Sequence, residues 1–461
     1  MSVLYSALNS LPEPRAGTRP LLEARRLGSM EPWAIAVGCL LIGYTVLGRS
    51  FAYLGVPPAK IFIAEITLAL FVFFRPRALF DTWVEALLHP LPHSPFAWSL
   101  LLFLVYGICE VVRGVAVGYQ PLPALQNLVL HVYPLFFFTG AWVGRRNPDL
   151  LARVMHMLTW ATAIYGLSYI LFLNKVAVFL PGTTVPVFGQ AGGHSLALLW
   201  LISLESRTRS HWVLVALNAF LLLALQIRGE WLAFFLGLLL WSLLSGKMRR
   251  FFVGAAVLLV LLGVGYVTDF SIPSPASRGG VISTREILGR ALSAIEPGTA
   301  QELTPRAGTY SGTISWRTIW WRAIWDSVHE SNERMLFGHG YGFPISDLVP
   351  YAKGSDIRTP HNIFFYVLGY DGWVGVALFA FFQFCLAALL WKAYRDSAQP
   401  LGIAVWAMAF SGALFGNVFE TPAGAVTSYL LFGLLTAALV RDRHSLYEHI
   451  GGSQLVPTTR W

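Results

Sequence analysis

Charge is what this chain has least of. Of its 461 residues only 12% are Asp, Glu, Lys or Arg, where a soluble globular chain carries about 25%. With 56% hydrophobic residues and a mean hydropathy of +0.59, that deficit excludes an ordinary soluble domain and points to a polytopic membrane protein. Cysteine is scarce as well. Cys39, Cys109 and Cys385 all fall in apolar segments, which excludes a disulfide framework and a thiolate metal set. The first thirty residues hold no short apolar core followed by a cleavage site, so residues 1–31 are expected to be a cytoplasmic tail and not a signal peptide.

Acidic residues are fewer than basic ones, 24 against 33, for a net charge of +9. In a soluble chain that surplus would suggest nucleic acid. In a membrane chain Lys and Arg collect in cytoplasmic loops and hold topology, so no nucleic-acid partner is expected. The connection RSFAYLGVPPAK contains no carboxylate, and no Asp-x-Asp pair occurs in residues 269–360. Metal-held diphosphate chemistry needs such groups, so neither metal nor cofactor is expected.

What the chain does have is long apolar runs. Helical segments of spanning length fall near 32–48, 58–74, 95–113, 124–144, 150–173, 192–205, 211–227, 229–245, 251–268, 372–392, 401–418 and 423–440. The expected fold is therefore all-α, with about twelve transmembrane helices. Basic clusters such as Arg75 and Arg77, Arg145 and Arg146, and Lys247, Arg249 and Arg250 alternate with connections that hold single charges. This alternation predicts both termini on the cytoplasmic side. The expected organisation is spans one to nine over 32–268, one large outer loop over 269–360, spans ten to twelve over 361–440, and a second cytoplasmic tail over 441–461.

The outer loop is far longer than an ordinary connection and is not low in complexity. Ser283-Thr284-Arg285-Glu286 reads as a capping box opening a helix that Pro297-Gly298 ends. A Trp-rich helix is expected from about Ser315 to Glu330. On its wheel Trp316, Trp320, Trp321, Ile324 and Trp325 form an aromatic stripe with Arg317 inside it, while Arg322 and Asp326 face the other way. An arginine so placed calls for an anionic partner. Further on, Thr359-Pro360 reads as N-cap and first helical position, which puts His361 in a first helical turn where free N–H groups favour anions and a neutral imidazole. Taken singly, Arg317 also fits an interfacial anchor whose head snorkels to lipid, and His361 a capping or packing residue. Their pairing on one outer loop favours function.

Arg228, in IRGEWLAFF, is expected to end one helix, with Gly229 turning tightly into the next. Arg49, Lys60 and Arg113 read as interfacial anchors, Arg113 within pairing distance of Glu110. His131 and His194 read as hydrogen-bonded structural residues. A transporter would concentrate ionisable groups near the membrane midplane; here they gather at outer ends of spans.

Three motifs in this order, IRGEWLAFF, SWRTIWWRAIW followed by FGHGYGF, and TPHNIFFYVLGYDGWVG, resemble those of the bacterial O-antigen ligase and polymerase-like family of lipid-linked glycan transferases. The resemblance covers most of residues 32–440. His339 within the glycine turn and Tyr370-Asp371 before Gly372 depart from the usual pattern. The resemblance implies an inverting, metal-independent glycosyltransferase of the bacterial inner membrane, with residues 269–360 as a periplasmic cap. Its donor would be a glycan on undecaprenyl diphosphate, and its acceptor either lipid A–core (ligase) or a second lipid-linked glycan (polymerase). Arg228 and Arg317 would meet the diphosphate and His361 would take the acceptor's proton. Arg322, Asn362, Trp320 and Trp321 would contact substrate, the aromatic stripe and neighbouring spans holding the polyprenyl chain among membrane lipids.

Overall fold

The computed structural model describes residues 31–56, 61–88, 93–190, 192–204, 208–273, 281–304, 307–353 and 359–450. Residues 1–30 and 451–461, which hold most of the two expected tails, and Lys60 lie outside that set. The protein is an all-α membrane protein; its described strands form two short antiparallel hairpins, Gly55–Val56 with Ile61–Phe62 and Ser271–Pro273 with Val281–Ser283. Among the described residues five helices are long and apolar enough to cross a membrane: Ser94–Val117, Pro121–Arg146, Leu150–Leu171, Met248–Val267 and Ile363–Ser397. Shorter apolar helices, among them Pro32–Leu47, Arg209–Ala224 and Leu401–Phe415, occupy other predicted segments. Met248–Val267 buries none of its residues against the rest of the chain, and Leu259, Val260 and Leu261 are exposed. An apolar face of that size is stable beside lipid and not in water.

The core is built where small residues let helices close on each other. Phe136–Arg146 packs along Pro422–Ile450, Gly140 against the Leu430 carbonyl and Gly433 against that of Phe137. Close backbone approach of this kind holds helices together where lipid removes the hydrophobic drive between them.

The segment between Met248–Val267 and Ile363–Ser397 is ordered through much of its length. Ser283 Oγ accepts from Glu286 N–H and so caps the helix Thr284–Leu292 at the expected place, while the Glu286 carboxylate accepts from the Thr304 hydroxyl at 2.6 Å. That helix stops at Leu292, and Pro297 does not end it. Pro297 instead starts a second helix, Pro297–Leu303, because its missing N–H costs nothing at a first helical position. The Trp-rich helix is longer than expected, Ala307–Val328; it is called the arginine helix below. A short helix, Asn332–Phe337, leads into the glycine turn.

That turn is clamped onto a kink in the long helix Ile363–Ser397. Gly372 departs from helical geometry with φ 63°, and Gly338 in the turn has φ 67°. A Cβ on Gly338 would stand 2.5 Å from the Tyr370 carbonyl carbon, and one on Gly372 would stand 2.4 Å from the Leu336 carbonyl. His339 N–H and Gly340 N–H donate to the carbonyls of Gly369 and Tyr370, each at 2.9 Å. Two backbones meet here with no room for side chains. His339 is buried, stacked on Phe343, with Nε2 2.9 Å from Ser327 Oγ of the arginine helix. Burial first, then Arg334 and Arg113, push its imidazole down to about 4, so it packs as a neutral ring.

Arg113 completes the clamp. It pairs with Glu110 at 2.6 Å, as anticipated, but its guanidinium also reaches the carbonyls of Phe337 and Gly338. The interfacial-anchor reading of Arg113 is therefore corrected. Gly338→Ala or Gly372→Ala is expected to destabilise the detergent-solubilised protein by about 3 kcal/mol or more, since neither backbone can retreat. Gly298→Ala, whose Cβ meets nothing within 4 Å, should change thermal stability little; equal effects at all three positions would contradict this account.

Candidate active site

The site forms around the C-terminal end of the helix Leu401–Phe415. The last carbonyls of any helix lack intrahelical partners and carry the negative end of its dipole, so they draw donors. Arg317 Nη1 donates to the Phe415 carbonyl at 3.1 Å, and Asn362 Nδ2 donates to the Leu414 carbonyl at 2.9 Å. Gly229 lies against the same end, its Cβ direction 3.7 Å from the Phe415 carbonyl oxygen. Three segments that carry the three motifs thus converge on one helix terminus.

Arg228 is positioned differently from the expectation. Arg209–Ala224 ends early, and Gln226 (φ 56°) makes the turn that was assigned to Gly229. Arg228 is then the first residue of the next helix, Arg228–Leu244. Its Nη1 donates to Ser293 Oγ at 2.7 Å and to the Arg290 carbonyl at 3.4 Å, at the end of Thr284–Leu292. Gln226 ties the same turn to strand Val281–Ser283 through the Val281 carbonyl at 2.9 Å. The hairpin and the ordered loop are fastened together at Arg228.

His361 is not in a first helical turn. Asn362 is the N-cap, its Oδ1 accepting from the N–H groups of Phe364 and Phe365, and the helix begins at Ile363. The short amide of Asn362 satisfies two orphan N–H groups at once, and so displaces Thr359 as the cap. His361 sits one residue before that cap with φ 55°. A Cβ-bearing residue there stores strain on the order of 1–3 kcal/mol, which is commonly found at functional sites. The conformation is held from both sides, since Trp321 Nε1 donates to the Pro360 carbonyl at 2.7 Å and Asn362 is pinned to Leu414. The Trp316 ring links the two candidate groups. The His361 ring meets it edge-on at 5.6 Å, and the Arg317 guanidinium lies 5.4 Å from its centre.

The residues expected to contact substrate divide. Trp320 is fully buried and donates to the Ile345 carbonyl at 3.0 Å, so it seats the arginine helix and offers no surface. Asn362 spends both ends of its amide on backbone and fixes the position of His361. Arg322 is exposed on the far side, 3.9 Å from Asp326, and does not join the cluster. Trp321 stacks on Phe365 with ring centres 5.4 Å apart and stands beside the histidine segment.

One acid escaped the sequence reading. Glu420 is buried in the turn after Leu401–Phe415, and among the described residues neither carboxyl oxygen completes a hydrogen bond. Burial raises its pKa well above the carboxylate range; the Thr359 hydroxyl, near enough to act on its charge without good hydrogen-bond geometry, works the other way. The available signal was a lone carboxylate in a short connection, FETP, between two apolar segments. Among the described residues no group of three or more His, Cys, Asp or Glu side chains is arranged to hold a metal.

No curated protein matches the chain. Residues 213–380 match the sequence model of a family described as O-antigen ligase. The matched stretch contains Arg228, the arginine helix, the glycine turn and His361, and stops before Glu420. Over that stretch the chain is similar to the O-antigen ligase family.

Proposed function

We propose that the protein is an inverting glycosyltransferase of the bacterial inner membrane, with about twelve spans and its site facing the periplasm. It transfers a glycan from undecaprenyl diphosphate to lipid A–core. The observation that carries this reading is the convergence of Arg317, the Arg228–Gly229 turn and the His361 segment on the end of Leu401–Phe415. As the anomeric C–O bond breaks, its electron pair passes to the diphosphate. The two arginines meet that growing charge, for which planar forks are well suited. The acceptor hydroxyl oxygen attacks the opposite face of the anomeric carbon, and its proton goes to the His361 ring and then to water.

Glu420 lies buried beside Thr359 at the start of the histidine segment, and burial favours its neutral form. Glu420→Gln is therefore expected to keep near-normal transfer. Glu420→Ala leaves a void beside Thr359 and is expected to lower kcat about tenfold or more through loss of position. Equal losses in both variants would contradict a neutral role. Topology is tested by labelling a cysteine placed at Glu302, an exposed residue of the loop. It should react from the periplasmic side, as charge alternation predicts; labelling only after the cytoplasmic side is opened would overturn the orientation.

The reading as a ligase is tested in a deletion strain. Long glycan should remain on undecaprenyl diphosphate and be absent from lipid A–core. Accumulation of single lipid-linked repeats would instead identify an O-antigen or exopolysaccharide polymerase.

A further inference from the structure

The stretch between the glycine turn and the histidine segment carries an aromatic ring with no part in charge or proton transfer. Ile345–Leu348 forms a short 3-10 turn, and its Ile345 carbonyl accepts from Trp320 of the arginine helix at 3.0 Å. The chain then folds back, the N–H groups of Ala352 and Lys353 donating to the Val349 carbonyl at 3.1 and 3.2 Å. Val349 and Ala352 are buried and anchor that fold. Tyr351, between them, is turned outward and 45% exposed. Its hydroxyl donates to the Trp316 carbonyl, which holds the ring in place. A tyrosine tied in this way presents chiefly its ring to whatever meets it.

Trp316 stands between this ring and the proposed base. The Tyr351 ring meets Trp316 at 6.2 Å with planes 73° apart, and the His361 ring meets it at 5.6 Å with planes 78° apart. We propose that Tyr351 is the stacking platform for a pyranose ring of the acceptor, holding it one ring away from His361 with its hydroxyl toward that base. The inference rests on the reading of His361 as the acceptor's base and of lipid A–core as the acceptor. In an inverting displacement the acceptor and the leaving group lie on opposite sides of the anomeric carbon. The acceptor therefore belongs with His361 and not at Arg228, which Ser293 and Arg290 hold in another part of the loop. Two observations favour a sugar as the occupant. The apolar C–H face of a pyranose matches the electron-rich face of a fixed aromatic ring, and the hydroxyls around its edge stay free for water. The turn itself is polar, since Asp347 and Lys353, four residues before Tyr351 and two after, are both exposed. A hydrocarbon chain laid over the ring would take water from those charges, a cost that a hydroxylated ring does not impose.

The test reads the acceptor KM of purified full-length protein given glycan-linked undecaprenyl diphosphate and lipid A–core. Tyr351→Ala should raise that KM about tenfold, the equivalent of about 1.4 kcal/mol, with donor KM and kcat little changed. Tyr351→Leu, which fills much of the space without a π face, should lose as much as Tyr351→Ala. Tyr351→Phe, which keeps the face and loses only the tether, should stay close to wild type. Saturation-transfer NMR with the free core oligosaccharide supplies a readout without turnover: its terminal sugar should receive signal from wild type and Tyr351→Phe, and none from Tyr351→Leu. Recovery of the acceptor KM in Tyr351→Leu would make the ring an apolar packing group and overturn the platform. An unchanged acceptor KM in Tyr351→Ala, or a rise in donor KM beside it, would overturn it as well. Wild-type protein that glycosylated no lipid A–core would overturn the ligase reading, and the platform with it.

Discussion

Arg317→Ala is expected to lower transfer by about 10²–10³-fold or more while leaving expression and membrane insertion intact. That is the usual cost of removing one preorganised donor from a developing negative charge. Arg228→Ala should behave similarly, and the double variant should be inactive within detection. Arg→Lys at either position should also be poor, since a point charge does not reproduce a planar fork. Arg49, 5.4 Å from the Tyr53 ring centre, and Arg322, exposed on the far face, provide controls whose alanine variants should be nearly silent. The charge is supplied by side chains in this scheme, so EDTA should leave the rate unchanged. Restoration of an EDTA-stopped reaction by magnesium or manganese would move the diphosphate onto a metal. A double alanine variant with near-normal activity would remove both arginines from the mechanism.

The second large effect is expected at His361. His361→Ala should reduce kcat by about 10²–10⁴-fold, the typical loss for a general base. His361→Gln keeps a hydrogen-bonding side chain and should keep the fold and donor binding, yet it cannot accept the proton, so it should be nearly as inactive. Donor KM is the discriminating readout. If the residue serves only to shape the segment between Pro360 and Asn362, KM should rise with kcat unchanged. Retention of more than about a tenth of wild-type activity in His361→Ala, far above that range, would make His361 structural.

The three motifs were legible because each bears a local mark: an arginine beside a glycine, an arginine among tryptophans, a histidine-asparagine pair before an apolar run. Their chain positions are close to those expected, and so are most apolar helices, because composition alone sets where a span can lie. What misled was competition between local signals. Thr359-Pro360 is a sound helix start, but Asn362 caps two N–H groups with one oxygen and moves the start past His361. Gly229 looked like the turn residue, whereas Gln226 takes the left-handed conformation.

Long-range partners account for the remainder. Arg113 reads as an anchor until Phe337 and Gly338, more than two hundred positions away, present their carbonyls to it. Glu420 is an ordinary loop acid until folding buries it beside Thr359. The aromatic stripe is one surface on a wheel, and only packing against Ile345 on one side and Phe365 and Trp373 on the other divides it.

The central claim is the proposed transfer of a glycan from a lipid diphosphate to a lipid acceptor at the site formed by Arg317, the His361 segment and the Arg228–Gly229 turn. The most direct measurement is product formation by the purified protein given glycan-linked undecaprenyl diphosphate, with and without lipid A–core, in EDTA. The account predicts glycosylated lipid A–core and free undecaprenyl diphosphate only when lipid A–core is present, and neither from Arg317→Ala. Elongated lipid-linked glycan in the absence of lipid A–core, or no product in any mixture, would contradict it.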